Sequence, residues 1–260
     1  MGTRSGALLL ACLLASGAAA AAEPQAGGGA GSDWMSWRAH DDVTNTASLQ
    51  RGARNFMGYC LGCHGLKYER YSRLGIDLGL TPEELQKFLI SPGDKPADYI
   101  LTSMPAADAA SWFGKTPPDL SLMARARGAD YIYQFLKTFY VDSSRATGAN
   151  NVRLAATSMP AVLSELEGLK RAVFKDEQEK GGDGKLMTVH VFDHFEQIAP
   201  GRLSAAEYDE FVHDTVNFLD YVGEPTQAER RALGIWVVLF LLVFTWLAWL
   251  LKQQYWKDVH

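Results

Sequence analysis

The residues best suited to chemistry in this chain of 260 are Cys60-Leu-Gly-Cys63-His64. Two thiols separated by two residues and followed at once by an imidazole form the pattern of covalent c-type haem attachment. Both thiols must face one edge of a porphyrin, and the adjacent histidine can then reach the iron. The rival chemistries lack their other parts. A structural zinc site needs four ligands, and no second C-x-x-C or paired histidines supply the rest. A redox dithiol belongs in a βαβ setting that is missing here. The other cysteine, Cys12, lies in the apolar N-terminal stretch, so the chain carries no disulfide framework.

A haem iron in an electron-transfer cytochrome c takes histidine and, most often, methionine. Downstream of His64 the candidates are Met104, Met123, Met159 and Met187, with His190, His194 and His213 as imidazole rivals. Met104 and Met159 each precede a proline, which holds the methionine extended in a loop. Met123 falls in an expected helix and reads as core. The residues alone leave Met104 and Met159 level.

The elements that must position these groups read as helices joined by irregular Pro/Gly-rich connections. Leu49, Ala53, Phe56 and Met57 are at helical spacing and predict a helix delivering the chain to Cys60. Thr81-Pro-Glu-Glu84 opens a second helix, with Leu85, Phe88 and Leu89 as its apolar stripe. Asp130 to Tyr140 reads as a third. Ser204-Ala-Ala-Glu207 is a capping box opening a fourth, with Phe211, Thr215, Phe218, Leu219 and Val222 on one face. Lys175 to Lys185 is polar throughout and reads as an exposed loop.

Two segments address the membrane. Residues 1–22 have a positive start, a short apolar middle and small residues at the end, which describes a cleavable signal peptide. A Gly/Ala-rich linker, 23–33, follows. Residues 233–251 are an uncharged run, about 28 Å long as a helix, enough to cross a bilayer. Lys and Arg flank it on both sides, so they orient it poorly. The signal peptide supplies the orientation: a haem domain, 34–225, on the periplasmic side of the inner membrane and a cytoplasmic tail, 252–260. The formal net charge is −5, and loss of Arg4 with the signal peptide makes it one unit more negative. Such a balance gives no support to nucleic-acid binding and suits a basic protein partner.

Taken in order, several pieces resemble the cytochrome c1 family: Ser48-Leu-Gln-Arg-Gly-Ala53, Tyr59 to His64, Arg70-Tyr71, Pro117-Pro-Asp-Leu-Ser121 with Arg125-Ala-Arg127, Tyr208 to Pro225, and an anchor ending in Tyr255-Trp-Lys-Asp-Val-His260. The resemblance runs from about Ser48 to the C-terminus. It implies a mainly α, cytochrome c-like domain with irregular loops and one C-terminal transmembrane helix. It implies one covalent haem c, with Cys60, Cys63 and His64 at the attachment site. It favours Met159 over Met104 as sixth ligand, because in the family that methionine follows the Pro-Pro-Asp-Leu-Ser block. It gives Arg127 a haem propionate and makes Pro117 and Pro118 a wall at the haem edge. It also implies a place beside cytochrome b in quinol–cytochrome c reductase, accepting from a Rieske iron–sulfur protein and donating to a soluble cytochrome c. Two other readings fit fewer of the pieces. One is a tail-anchored monohaem cytochrome feeding a terminal oxidase; the other is a membrane-tethered thiol–disulfide oxidoreductase.

Overall fold

The computed structural model describes residues 33–180 and 186–257. The expected signal peptide, all of the linker but Asp33, and the last three residues of the tail lie outside them. A single 3-10 turn, Trp34–Ser36, comes first. Helix α1, Thr46–Tyr59, starts where the Asn45 side chain accepts a hydrogen bond from the Ser48 backbone N–H. Its buried face, Leu49, Ala53 and Phe56, is the expected stripe.

Strand β1 (Leu66–Arg70), helices α2 (Tyr71–Asp77) and α3 (Pro82–Phe88), and strand β2 (Tyr99–Ile100) follow. The Thr81–Glu84 capping box is present at the start of α3. Leu85 and Leu89 are buried, but Phe88, expected on the same stripe, is 59% exposed. It lies beneath the Lys87 ammonium, 5.1 Å from the ring centroid. Helices α4 (Ala106–Phe113), α5 (Met123–Arg127) and α6 (Ala129–Lys137) come next, then strands β3 (Phe139–Val141) and β4 (Ala149–Asn151). The helix expected over Asp130–Tyr140 therefore stops three residues early. Thr138 turns its hydroxyl back to the Gln134 carbonyl, 2.7 Å, and Phe139 and Tyr140 pair with Asn151 and Asn150 instead.

A short α7 (Ser164–Glu167) leads into a long hairpin of β5 (Gly168–Lys180) and β6 (Leu186–Pro200). This corrects the reading of Lys175–Lys185 as a loop: residues 175–180 are strand, and 181–185 lie outside the described residues. The polar run forms a strand because much of the outer hairpin is exposed. Its side chains find cross-strand partners, Asp176 with His190 at 2.5 Å and Gln178 with Thr188 at 2.8 Å. The β-branched and aromatic character sits on the other strand, at Val189, Val191 and Phe192.

Helix α8, Ala205–Gly223, has its Ser204–Glu207 capping box and crosses α1. The Phe56 and Phe218 rings meet at 5.8 Å. Contact is closest at Gly52, where an added Cβ would lie 2.0 Å from the Asp214 carbonyl oxygen. Only glycine permits that approach. A buried polar seam runs along the crossing. Ser48 donates to Asp214 at 2.6 Å, Arg51 donates to the same carboxylate at 2.9 Å, and Asn217 donates to Ser48 at 2.9 Å.

Helix α9, Gln227–Tyr255, is long and apolar enough to cross a membrane, and none of its apolar window is buried against the rest of the chain. Side chains as large as Trp236 (72% exposed) and Phe240 (66%) on such a helix are in keeping with a lipid environment. A chain stopped after Pro225 should stay in aqueous solution and still carry covalent haem, because the α1–α8 core is complete by then. Sedimentation of that fragment with membranes in high salt would show that another element does the anchoring.

Glu69 is a weak point in this frame. It is 5% exposed, and its Oε1 has no hydrogen-bond partner among the described residues. Burial first, then the neighbouring Asp77, pushes its pKa up to about 7. The folded state thus holds the proton more tightly than the unfolded one. Its contribution is fully present below the ordinary carboxylate value and is lost as pH rises through about 7. Glu69→Gln should raise the thermal unfolding midpoint above pH 7, by roughly 1–3 kcal/mol in stability, and the gain should vanish in acid. An equal gain at every pH would contradict this account.

Candidate functional site

Cys60 caps α1, its N–H bonding to the Phe56 carbonyl at 2.8 Å. The Cys60 carbonyl then accepts from Cys63 N at 3.0 Å and His64 N at 2.8 Å. This extra turn brings two thiols and an imidazole onto one cavity of about 460 Å³. The cavity is walled largely by carbon, including Leu120, Met123, Ile132, Phe135, Leu136, Val162, Leu163, Phe211 and Leu219.

The segment carrying Pro117 and Pro118 is laced to the chain just past His64. Leu120 N donates to the Gly65 carbonyl at 2.9 Å, and Asp119 accepts from Lys67 N at 2.8 Å. The Pro118 carbonyl lies 2.7 Å from His64 Nδ1. A carbonyl can only accept, so Nδ1 carries the proton and Nε2 keeps its lone pair. Burial lowers the His64 pKa against the pull of Pro118 and Asp119, which keeps the ring neutral and fit to bind a metal.

Met159 reaches the same cavity from a different loop. Asn150 and Asn151 build that loop. The Asn150 side-chain oxygen accepts from Ala156 N at 2.9 Å, and that of Asn151 accepts from Leu154 N at 2.9 Å. The Asn151 amide donates to the Phe135 carbonyl at 2.8 Å, tying the loop to α6. These two asparagines escaped the sequence reading, although adjacent Asx residues before a loop are a turn signal. Arg127 and Pro117 also line the cavity.

The rivals are elsewhere. Met104 precedes α4 and does not line the cavity, nor does Met187. His190 pairs with Asp176 and His194 with Asp193 on the hairpin, and His213 faces the His40 carbonyl at 3.3 Å. Met123, read as core, begins α5 and packs on the core, yet it also forms part of the cavity wall. Among the described residues no cluster of three His, Cys, Asp or Glu could hold a bare metal ion. Burial first, then Cys63, pushes the Cys60 thiol up to about 12. A dithiol enzyme needs the opposite, a thiolate near neutral pH.

The model of the Cytochrome C1 family matches residues 36–259. The chain belongs to the cytochrome c1 family. It is 46% identical over 222 residues to cytochrome c1 of Allochromatium vinosum, covering 85% of this chain and 88% of that protein. Cytochrome c1 of Rhodospirillum rubrum is 30% identical over 260 residues, 87% of each. A protein named ammonia monooxygenase gamma subunit, from Nitrosomonas europaea, is 41% identical over 223 residues, 86% of this chain and 88% of that one.

Cytochrome c1 proteins carry one covalent haem c and serve as the haem subunit of the bc1 complex, and the family fixes that cofactor and that context here. The cavity fits the group. Haem is a flat apolar ring with two attachment points on one side and carboxylates on another. The cavity offers apolar walls, two thiols on one turn, an imidazole with a free nitrogen, a thioether and a guanidinium.

Proposed function

We propose that this chain relays single electrons from a Rieske iron–sulfur protein to a soluble cytochrome c, with its haem domain on the periplasmic side of the inner membrane and cytochrome b beside it. One observation carries the reading. A single apolar cavity gathers Cys60, Cys63, His64, Pro117, Pro118, Arg127 and Met159 from four separate stretches of chain. In this reading Cys60 and Cys63 would hold the haem covalently, and His64 and Met159 would bind its iron. Arg127 would pair with a propionate, and the two prolines would cover one edge.

The haem supplies the one-electron redox change when bound. The chain fixes everything around it. Pro118 orients the imidazole of His64, Asn150 and Asn151 hold the thioether of Met159 in place, and the apolar walls keep water from the iron. The net charge of −5 favours docking of a basic acceptor and would speed association at low salt. The chain itself breaks no bond of a substrate, so its part in quinol–cytochrome c reduction is transfer.

Detergent extraction with a tag on this chain tests the assignment. The purified material should show b-type haem beside the c-type haem, and added quinol should reduce both. A preparation holding c-type haem alone, reduced by no quinol, would instead favour a monohaem donor to a terminal oxidase.

A further inference from the structure

Arg153 is not among the residues assigned above. It lies in the turn after β4, and its Nε is buried with no hydrogen-bond partner among the described residues. Its guanidinium carbon sits 4.5 Å from the centroid of the Tyr131 ring and 5.7 Å from that of Trp34. The Arg127 guanidinium lies 5.5 Å from the same Tyr131 ring. Tyr131 and Arg127 both line the haem cavity. Among the described residues neither arginine forms an ion pair with a carboxylate.

Two guanidinium groups thus share the ring of Tyr131, Arg127 from the cavity lining and Arg153 from behind it, with no carboxylate among the described residues to balance them. The π-face of Tyr131 attracts each cation, but like charges this close repel, and a partly buried guanidinium loses hydration that the ring only partly replaces. The arrangement becomes favourable when carboxylates arrive. A ligand with two carboxylates on one edge is the matching chemistry, and guanidinium is the group best shaped to receive them. Trp34 offers Arg153 a second ring face.

We propose that Arg153 is a positioning residue for the haem carboxylates. It fixes Tyr131 and, through it, Arg127, and it adds a second positive charge behind that part of the cavity wall. The inference rests on the haem assignment proposed above and deepens it. A fixed positive charge beside the haem favours the ferrous state over the ferric one, because the ferric state carries one more positive charge.

The test uses the full-length holoprotein in detergent. Haem staining after denaturing electrophoresis of the wild type settles covalent attachment first, so a failure there is separate from a failure of Arg153. Redox titrations then compare Arg153→Gln, Arg153→Met and Arg153→Lys. Both neutral variants should keep the haem and shift the ferric-to-ferrous ratio at the wild-type midpoint about tenfold toward ferric, a fall of about 59 mV for one electron. Lysine should hold the ratio within about twofold. Arg153→Met keeps the apolar stem and is read in the same way if the glutamine variant accumulates poorly. A merely structural role would lower the unfolding midpoint and leave the potential in place. Neutral variants with an unmoved midpoint potential, or a lysine variant that falls as far as they do, overturn the proposal.

Discussion

A chain with alanine at both Cys60 and Cys63 will hold no haem after acid–acetone extraction. The two thiols stand on one turn, set by the bonds from Cys63 N and His64 N to the Cys60 carbonyl. Every other contact to the ring would be non-covalent, through His64, Met159 and the apolar wall. Either single replacement leaves one thioether and should give a shifted, more labile haem spectrum. The double replacement removes both bonds and leaves a cavity of about 460 Å³ with little to hold it closed. Unfolding should come at a much lower temperature, because α1, α6 and α8 contribute side chains to that wall. Haem that stays bound through extraction in the double variant would sink the attachment assignment.

Replacing Met159 with leucine will lower the reduction potential and remove the weak ferric sulfur-to-iron absorption band at the red end of the spectrum. A thioether is neutral and soft and favours ferrous iron relative to imidazole. Leucine keeps most of the volume and loses the sulfur. As a packing change alone the swap costs less than about 1.5 kcal/mol, so the spectrum, and not stability, is the discriminating measurement. Pro160 supports the ligand role, since it lacks an N–H and holds Met159 out of a helix. Met104→Leu should change neither potential nor band, because Met104 stands off the cavity ahead of α4. The reverse pattern, with the band lost at Met104 and kept at Met159, would reassign the sixth ligand.

What could be read from the chain without its structure followed the range of the interaction. The capping boxes at Thr81 and Ser204 are complete within four residues, and both are present. Cys60, Cys63 and His64 are equally local. Lys175–Lys185 reads as loop, yet 175–180 are strand, because strand character there is borrowed: Lys175 pairs with Val191, and Glu177 with Val189. Phe139 keeps helical spacing but pairs in a strand with Asn151, and that partner lies 12 positions away. Residue pattern alone left Met104 and Met159 level; family order favoured the second, and only the second lines the cavity. Arg153 gave no signal at all. One arginine between Val152 and Leu154 is unremarkable until Trp34 and Tyr131 arrive from elsewhere.

Only Glu224, Pro225 and Thr226 separate the end of α8 from the start of α9. Arg230 reaches back across that joint to Glu224 at 3.0 Å, and Gln227 to Asp220 at 3.1 Å. Three residues extend at most about 11 Å, so the joint has almost no slack. With α9 in a bilayer, the folded domain would be held close to the lipid surface, like a lamp on a short post. The short joint limits how far the domain can move from the start of α9. If the chain relays electrons as proposed, partners that dock out of reach of one another must do most of the travelling themselves.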